Sequence, residues 1–463
     1  VIGSQKNVDP GAKIDCSGRD ITIGNSGSLK VTGGDLILLA DDLTLNGPGG
    51  LIYAVEGTAE EAGTVEIHLT GSLLLAGKVR ANGAHGGGSI YIDAAGNISI
   101  PENGTDGIEA DGTEPDASGG DIVVRAGGSM AIHDPIHAEG NTSGESGGGS
   151  VELRAGGDID VSEDGHLSAP GKTEGGGVII LKSEDGNVTF AEHIDVDGKG
   201  PTGDGGTIEI AAGGSIAING QLYARGGINA GGGTAAGGEV VLEAGCGGVT
   251  INASILTVGG QLGTGEDGGS IEVESAGDIL VASGVLLDTH ALASGGDGGP
   301  VRLAAADLVS LVSGSTIDSR GNSTSPGRGG DVSIRGCRID IQSAVTLDTT
   351  GAEGGTVKAS ATAVPPAVGT QPLFVSQSAS LRAKGASTAV DGRISISPLT
   401  AKKGKCSNNE AIACVIDQDC TDGCLTGDCL HANPDTQGVT SQFDLAPGTL
   451  ADLSLGECEA TCD

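Results

Sequence analysis

Apolar residues along this chain alternate with polar ones in short runs, and glycines punctuate the runs. Ser150-Val151-Glu152-Leu153, Thr207-Ile208-Glu209-Ile210 and Ser270-Ile271-Glu272-Val273 are the clearest copies. Strict alternation is the mark of a strand with one buried face, because successive side chains point to opposite faces of a sheet. No stretch carries apolar residues at i, i+3, i+4 and i+7 without a glycine interrupting it. That excludes amphipathic helices, and with them a doubly wound α/β fold.

The runs recur as a block close to thirty residues long that opens with a glycine pair. Blocks begin near Gly34, Gly63, Gly88, Gly120, Gly149, Gly177, Gly206, Gly238, Gly269, Gly299, Gly330, Gly355 and Gly392, mostly 28 to 32 residues apart, with outliers of 25 and 37. Each block holds three short apolar-alternating segments, which describes one coil of a parallel β-solenoid. A single coil cannot bury its own apolar row, but stacked coils bury continuous columns of Ile, Val and Leu. About 13 coils at a strand spacing of roughly 4.8 Å predict a rod of about 60 Å. Corner glycines are expected to supply positive φ and room for the next coil.

Three parts follow from this reading: residues 1–33 as a first irregular coil or cap, 34–398 as the solenoid and 399–463 as a cysteine-rich segment. The sequence ATAVPPAVGTQ, at Ala361–Gln371, interrupts the pattern near the end of the solenoid. Length differences between blocks collect at the corner that leads into each new glycine pair, as in DGTEPDASGG, EGNTSGESGGG and RGGINAGGGTAAGG. Such a corner is either slack, since inserted loop length costs little, or a binding edge.

The net charge of −37 argues against nucleic acid as a partner, because phosphate binding needs clustered Lys and Arg. No apolar run is long enough to span a membrane. The chain starts at Val1 and Met130 is its one methionine, which is the expectation for a processed, exported chain. Cysteine usage agrees: Cys406, Cys414, Cys420, Cys424, Cys429, Cys458 and Cys462 crowd the end, while Cys16, Cys246 and Cys337 are scattered over the solenoid. A segment so rich in Gly, Asn and Asp makes little core and needs disulfide staples; the CxxC spacing of a structural zinc site is missing. An odd number in the cluster leaves one cysteine free, or paired with a solenoid cysteine or with another chain, where Cys16 of the next subunit is the natural partner. Cys246 and Cys337 stand three coils apart, too far to bridge each other.

Chemistry-bearing motifs are few. Gly144-Glu145-Ser146-Gly147-Gly148 matches the nucleophile pattern G-x-S-x-G, but no helix follows it as that motif requires. Asp204, Asp267 and Asp297 each precede a glycine pair in one register, and stacked carboxylates can hold Ca²⁺ or remain a solvated acidic edge. Asp417, Asp419 and Asp422 make a second calcium candidate. Asn-x-Ser/Thr triplets include those at Asn103, Asn141 and Asn322, which predicts corners open to glycosylation. Parallel β-helices commonly carry polysaccharide lyases and hydrolases, but those use aromatics to stack sugars, and this chain has only three Tyr and three Phe. Its histidines do not fall in one register.

The blocks GGDIVVRAGGSMAI, GGSVELRAGGDIDV and GGTIEIAAGGSIAI resemble the secreted bacterial β-helix proteins typified by filamentous haemagglutinin. The resemblance covers about residues 20–398. It implies a right-handed parallel β-helix on, or shed from, a cell surface and carries over no catalytic residue. The cysteine-rich end departs from that family and is similar to short segments on exported bacterial surface proteins. Three functions are therefore expected, in this order: a structural subunit of an extracellular filament or surface layer joined head to tail; an adhesin or matrix protein taking a glycan or cell-surface ligand at the variable corners; and a polysaccharide-acting enzyme.

Overall fold

The computed structural model describes residues 1–398 apart from 56–61, 103–106, 142, 228–234, 261–265, 293, 324–326, 362–372, 377 and 386–391. The described chain is all-β. It contains no helix, and so no helix long and apolar enough to cross a membrane. It divides into two compact units, Val1–Val240 with Gly260–Leu262, and Val241–Gly259 with the residues from Gly263 onward.

Both units are parallel β-solenoids built from three sheets, and every strand pairs with the equivalent strand one coil away. A coil runs through a long strand (Ser150–Ala155), a middle strand (Ile159–Val161) and a short strand (Leu167–Ser168), then turns a wide corner into the next glycine pair. The first unit opens with Gln5–Val8, Ala12–Asp15 and Ile21–Ile23, which pair in register with Ser28–Thr32, Leu36–Ala40 and Leu43–Leu45. Residues 1–33 are thus a coil of the same kind. In the second unit the long strands run from Ser270–Ser275 to Arg393–Pro398.

Alternation sorts the side chains as expected. In the long strands Ile122 and Val124, Val151 and Leu153, and Ile179 and Leu181 point inward and are fully buried, one coil above another. The middle strands add Ile159, Val161, Val188 and Phe190, and the short strands add Ile108, Ile136, Leu167 and Ile194. Full burial of one such side chain contributes about 1.5–3 kcal/mol, and the repetition of the columns makes the stack cooperative.

Of the two causes the sequence suggests for the glycine pair, room for the next coil is the one that operates at the block-opening position. None of the block-opening glycines has positive φ. A Cβ on Gly120 would instead meet the carbonyl oxygen of Gly88; on Gly149, that of Gly120; and on Gly177, that of Gly149, all closer than the 3.0 Å that real Cβ atoms respect. The preceding glycines, Gly148 and Gly176, face the carbonyls of Ala169 and Val196 in the next coil equally closely. The pair marks a line along which main chains of successive coils approach closely, so steric room, not backbone handedness, selects it.

A second column holds the bend between long and middle strands. Asp42, Ser72, Asn97, Ser129, Asp158 and Asn187 each accept the backbone N–H of the same position one coil on, the last from Ser215, at 2.6–3.2 Å. Asp278 does the same for Leu308 in the second unit, at 3.0 Å. These side chains satisfy amides that the bend would otherwise leave without a partner.

Candidate functional site: a charged row on the short-strand sheet

Each short strand buries one aliphatic residue and turns the next one outward. Strand pairing places Arg80 beside Glu109, Glu109 beside His137, His137 beside Ser168, Ser168 beside Asp195 and Asp195 beside Tyr223. The next outward position adds a parallel column of Asn82, Asp111, Glu139, Pro170, Asp197 and Arg225, polar at every place except Pro170. The result is a double row of polar side chains along the first unit, next to the wide corners.

The row is internally paired. Glu109 is only 2% exposed; it accepts from Lys78 Nζ at 3.0 Å, an Arg80 terminal nitrogen at 2.9 Å and Asn82 Nδ2 at 3.0 Å. Asp111 meets His137 Nδ1 at 2.9 Å and also accepts the Glu139 amide at 2.9 Å. Ser168 donates to Glu139 at 2.5 Å, and Lys199 reaches Asp195 at 3.1 Å. Asp197, fully buried, takes the Arg225 amide at 2.8 Å and its guanidinium at 2.5 and 3.1 Å. Arg225 in turn lies over the Tyr223 ring at 4.5 Å. A buried charge costs several kcal/mol unless a partner and hydrogen bonds offset it, and here the two most buried carboxylates, Glu109 and Asp197, have both.

Electrostatics follow from that packing. Burial works against a charge on His137, but the hydrogen bond and attraction of Asp111, helped by Glu109 and Glu139, outweigh it and raise the imidazole's pKa above its ordinary value. Arg225 is likewise opposed by burial, yet Asp197 holds its pKa above the usual arginine value.

The second unit carries a different row. Asp288, Asp318 and Asp348 occupy one register in three successive coils. Each folds back to accept the amide two residues on, from His290, Arg320 and Thr350, at 3.1–3.2 Å. Asp288 also meets His290 Nδ1 at 2.5 Å, and the Arg320 guanidinium forks onto both oxygens of Asp318 at 2.7 and 2.5 Å. The His290 pKa is raised: burial opposes the charge, and Asp288 and then Asp318 overcome it.

Where the wide corners are described, they stack one coil on another. Gly83 bridges to Gly112, Gly147 to Gly175 and Gly171 to Gly198. The Thr113, Asn141 and Lys172 amides donate to the carbonyls of Gly83, Ala117 and Ser146 in the preceding coil at 2.7–2.9 Å. Gly144 and Gly175, with φ of 93° and 100°, supply the left-handed bends that other residues adopt rarely.

Here the aspartates of the Asp-Gly-Gly corners serve the main chain. Asp204 accepts the Ala236 amide at 2.7 Å, Asp267 that of Asp297 at 2.8 Å and Asp297 that of Arg328 at 2.6 Å. Asp267 and Asp297 are brought into adjacent coils, as their spacing requires. The one group of three or more His, Cys, Asp and Glu with donor atoms within 4.8 Å of one another, among the described residues, is instead Asp288, His290 and Asp318.

Asn141 donates its side-chain nitrogen to the Thr113 carbonyl at 2.7 Å, and Asn322 donates to that of Leu292 at 3.0 Å. In both, the atom that would carry a glycan is already bonded to another coil. Ser146 of the G-x-S-x-G match is fully buried and donates to the Asn141 carbonyl, which is no position for a nucleophile. Cys16 is a half-buried free thiol, whereas Cys246 and Cys337 are engaged. Asn103, Asp417, Asp419, Asp422 and the cysteines from Cys406 to Cys462 lie outside the described residues.

Sequence reasoning missed both rows. Aligning coils on the residue after each short-strand aliphatic would have exposed Asp288, Asp318 and Asp348, spaced 30 apart. The same alignment shows that His166 and His193 do share a register, and their rings stack at 5.2 Å between centroids. No protein-family model, curated protein or solved structure matches the chain.

Proposed function

We propose that the chain is a structural protein, a stacked-coil subunit that joins end to end into an extracellular filament or surface layer. The observation that supports this most is the use made of the polar corner residues: Asp158, Asn187, Asp204 and their counterparts bond the main chain of the neighbouring coil. Identical register from coil to coil means that a coil of a second copy can take up the same bonds. Such a contact is heterologous and propagates, with strand addition supplying main-chain hydrogen bonds. Gln5–Val8 and Ala12–Asp15 have a strand neighbour on one side only among the described residues. Ile14 is half-buried there, whereas its partner Leu38 is fully buried. The likeness to filamentous haemagglutinin and the late cysteine cluster support an extracellular setting.

Sedimentation velocity over a range of concentrations tests this reading. The protein is expected to form concentration-dependent species heavier than one chain, and Ile14→Lys to shift them to the monomer. A wild-type chain that stays monomeric throughout overturns it.

A second reading, an adhesin, draws on the ordered corners running beside the mixed-charge row of the first unit. Deletion of residues 112–116 would then abolish ligand capture and leave assembly unchanged.

A further inference from the structure

We propose that Asp288, His290 and Asp318 hold one divalent transition-metal ion that ties two successive coils of the second unit together. The donors converge by construction: Asp288 and Asp318 are paired strand residues, and His290 follows Asp288 at the next outward position. Their donor atoms lie within 4.8 Å of one another. Two donors on opposite sides of an ion with bonds of about 2.0–2.2 Å stand roughly 4 Å apart, so small side-chain adjustments close the site. Two carboxylate oxygens and an imidazole suit zinc-like and manganese-like ions, and the nitrogen argues against calcium.

Charge favours a cation at this end of the row. Asp288, Asp318 and Asp348 are 6–8% exposed and repel one another across single strand spacings. Arg320 offsets Asp318, and Arg382 stands 3.5 Å from Asp348. On the other side Asp288 pairs with Leu256, which brings no charge. Its neighbours in the row that can carry positive charge are His290 and, one coil on, Arg320, which Asp318 already engages. A metal ion between the two coils would serve Asp288 and Asp318 at once. Asp318 can keep Arg320, since a carboxylate has about four lone-pair sites.

Co²⁺ titration of the full chain, followed by absorption, tests the proposal. Oxygen and nitrogen ligands give ligand-field bands, and the tail cysteines would give thiolate charge-transfer bands, so the two are separable. Wild type and Asp348→Asn, which keeps all three ligands, are expected to bind one more equivalent than His290→Gln or Asp318→Asn. The difference spectrum should lack charge-transfer bands, and affinity should fall at least about tenfold between about pH 7.5 and 5.5, as the proton competes. Circular dichroism confirms that each variant keeps its strands, and double substitution of Asp288 and His290 stands in for any that does not. Equal stoichiometry in wild type and ligand variants, or a difference made only of thiolate bands, overturns the site.

Discussion

The glycine-pair corner and the outward row of the short-strand sheet lie close together in every coil and obey opposite rules. At the corner the residue is the same each time, because a Cβ at Gly149 or Gly177 would collide with a carbonyl of the coil before it. Along the row of the first unit the residue changes each time, from Arg80 to Glu109, His137, Ser168, Asp195 and Tyr223, and only in the second unit does Asp recur, at Asp288, Asp318 and Asp348. Contact between main chains leaves no choice of side chain, whereas an outward position is free to vary as long as its neighbours pair with it. Stacking is therefore carried by what repeats, and any individuality of a coil by what does not.

Four substitutions sharpen that contrast. Gly177→Val should be the most damaging, costing about 3 kcal/mol or more because main chain must move in two coils; chemical denaturation measures it. Arg225→Ala should cost about 2 kcal/mol by the same assay, because it strands the buried Asp197 carboxylate. That lies below the usual range for a buried pair, since Arg225 is 32% exposed. Asn187→Ala removes one rung of the ladder at the bend and should cost about 1 kcal/mol, with faster amide exchange at Ser215. His137→Gln tests the smallest effect. With its pKa raised in the folded state, His137 adds stability that is complete below its unfolded pKa, about 6.5, and lost as pH rises through the folded value. Wild type should therefore lose stability relative to the variant as the solution turns alkaline; a constant difference between the two would contradict the pairing with Asp111.

Much of this architecture was legible because alternation and the glycine period act over many coils at once. Val151, Ile179 and Ile208 repeat the same inward step one coil apart, as the stacking of a solenoid requires. Which of two reasons selects the glycines was not legible: a close approach and a positive φ both favour glycine, and only coordinates separate them. The rows were hidden for the reverse reason. Glu109 and His137 share a register but not a chemistry, so no motif joins them, and Asp288, Asp318 and Asp348 were overshadowed by the more conspicuous Asp-Gly-Gly corners. Those corners stand out in the sequence by their charge, whereas the amide each carboxylate accepts, such as that of Asp297 on Asp267, shows only in the coordinates.

The central claim, that repeated coil-to-coil bonding makes this chain a polymer-forming subunit, is tested most directly by electron microscopy of the purified protein under non-reducing conditions. The account predicts unbranched filaments with a regular axial repeat set by one subunit, shortened or lost in Ile14→Lys. Single particles at every concentration, in wild type and variant alike, would contradict it.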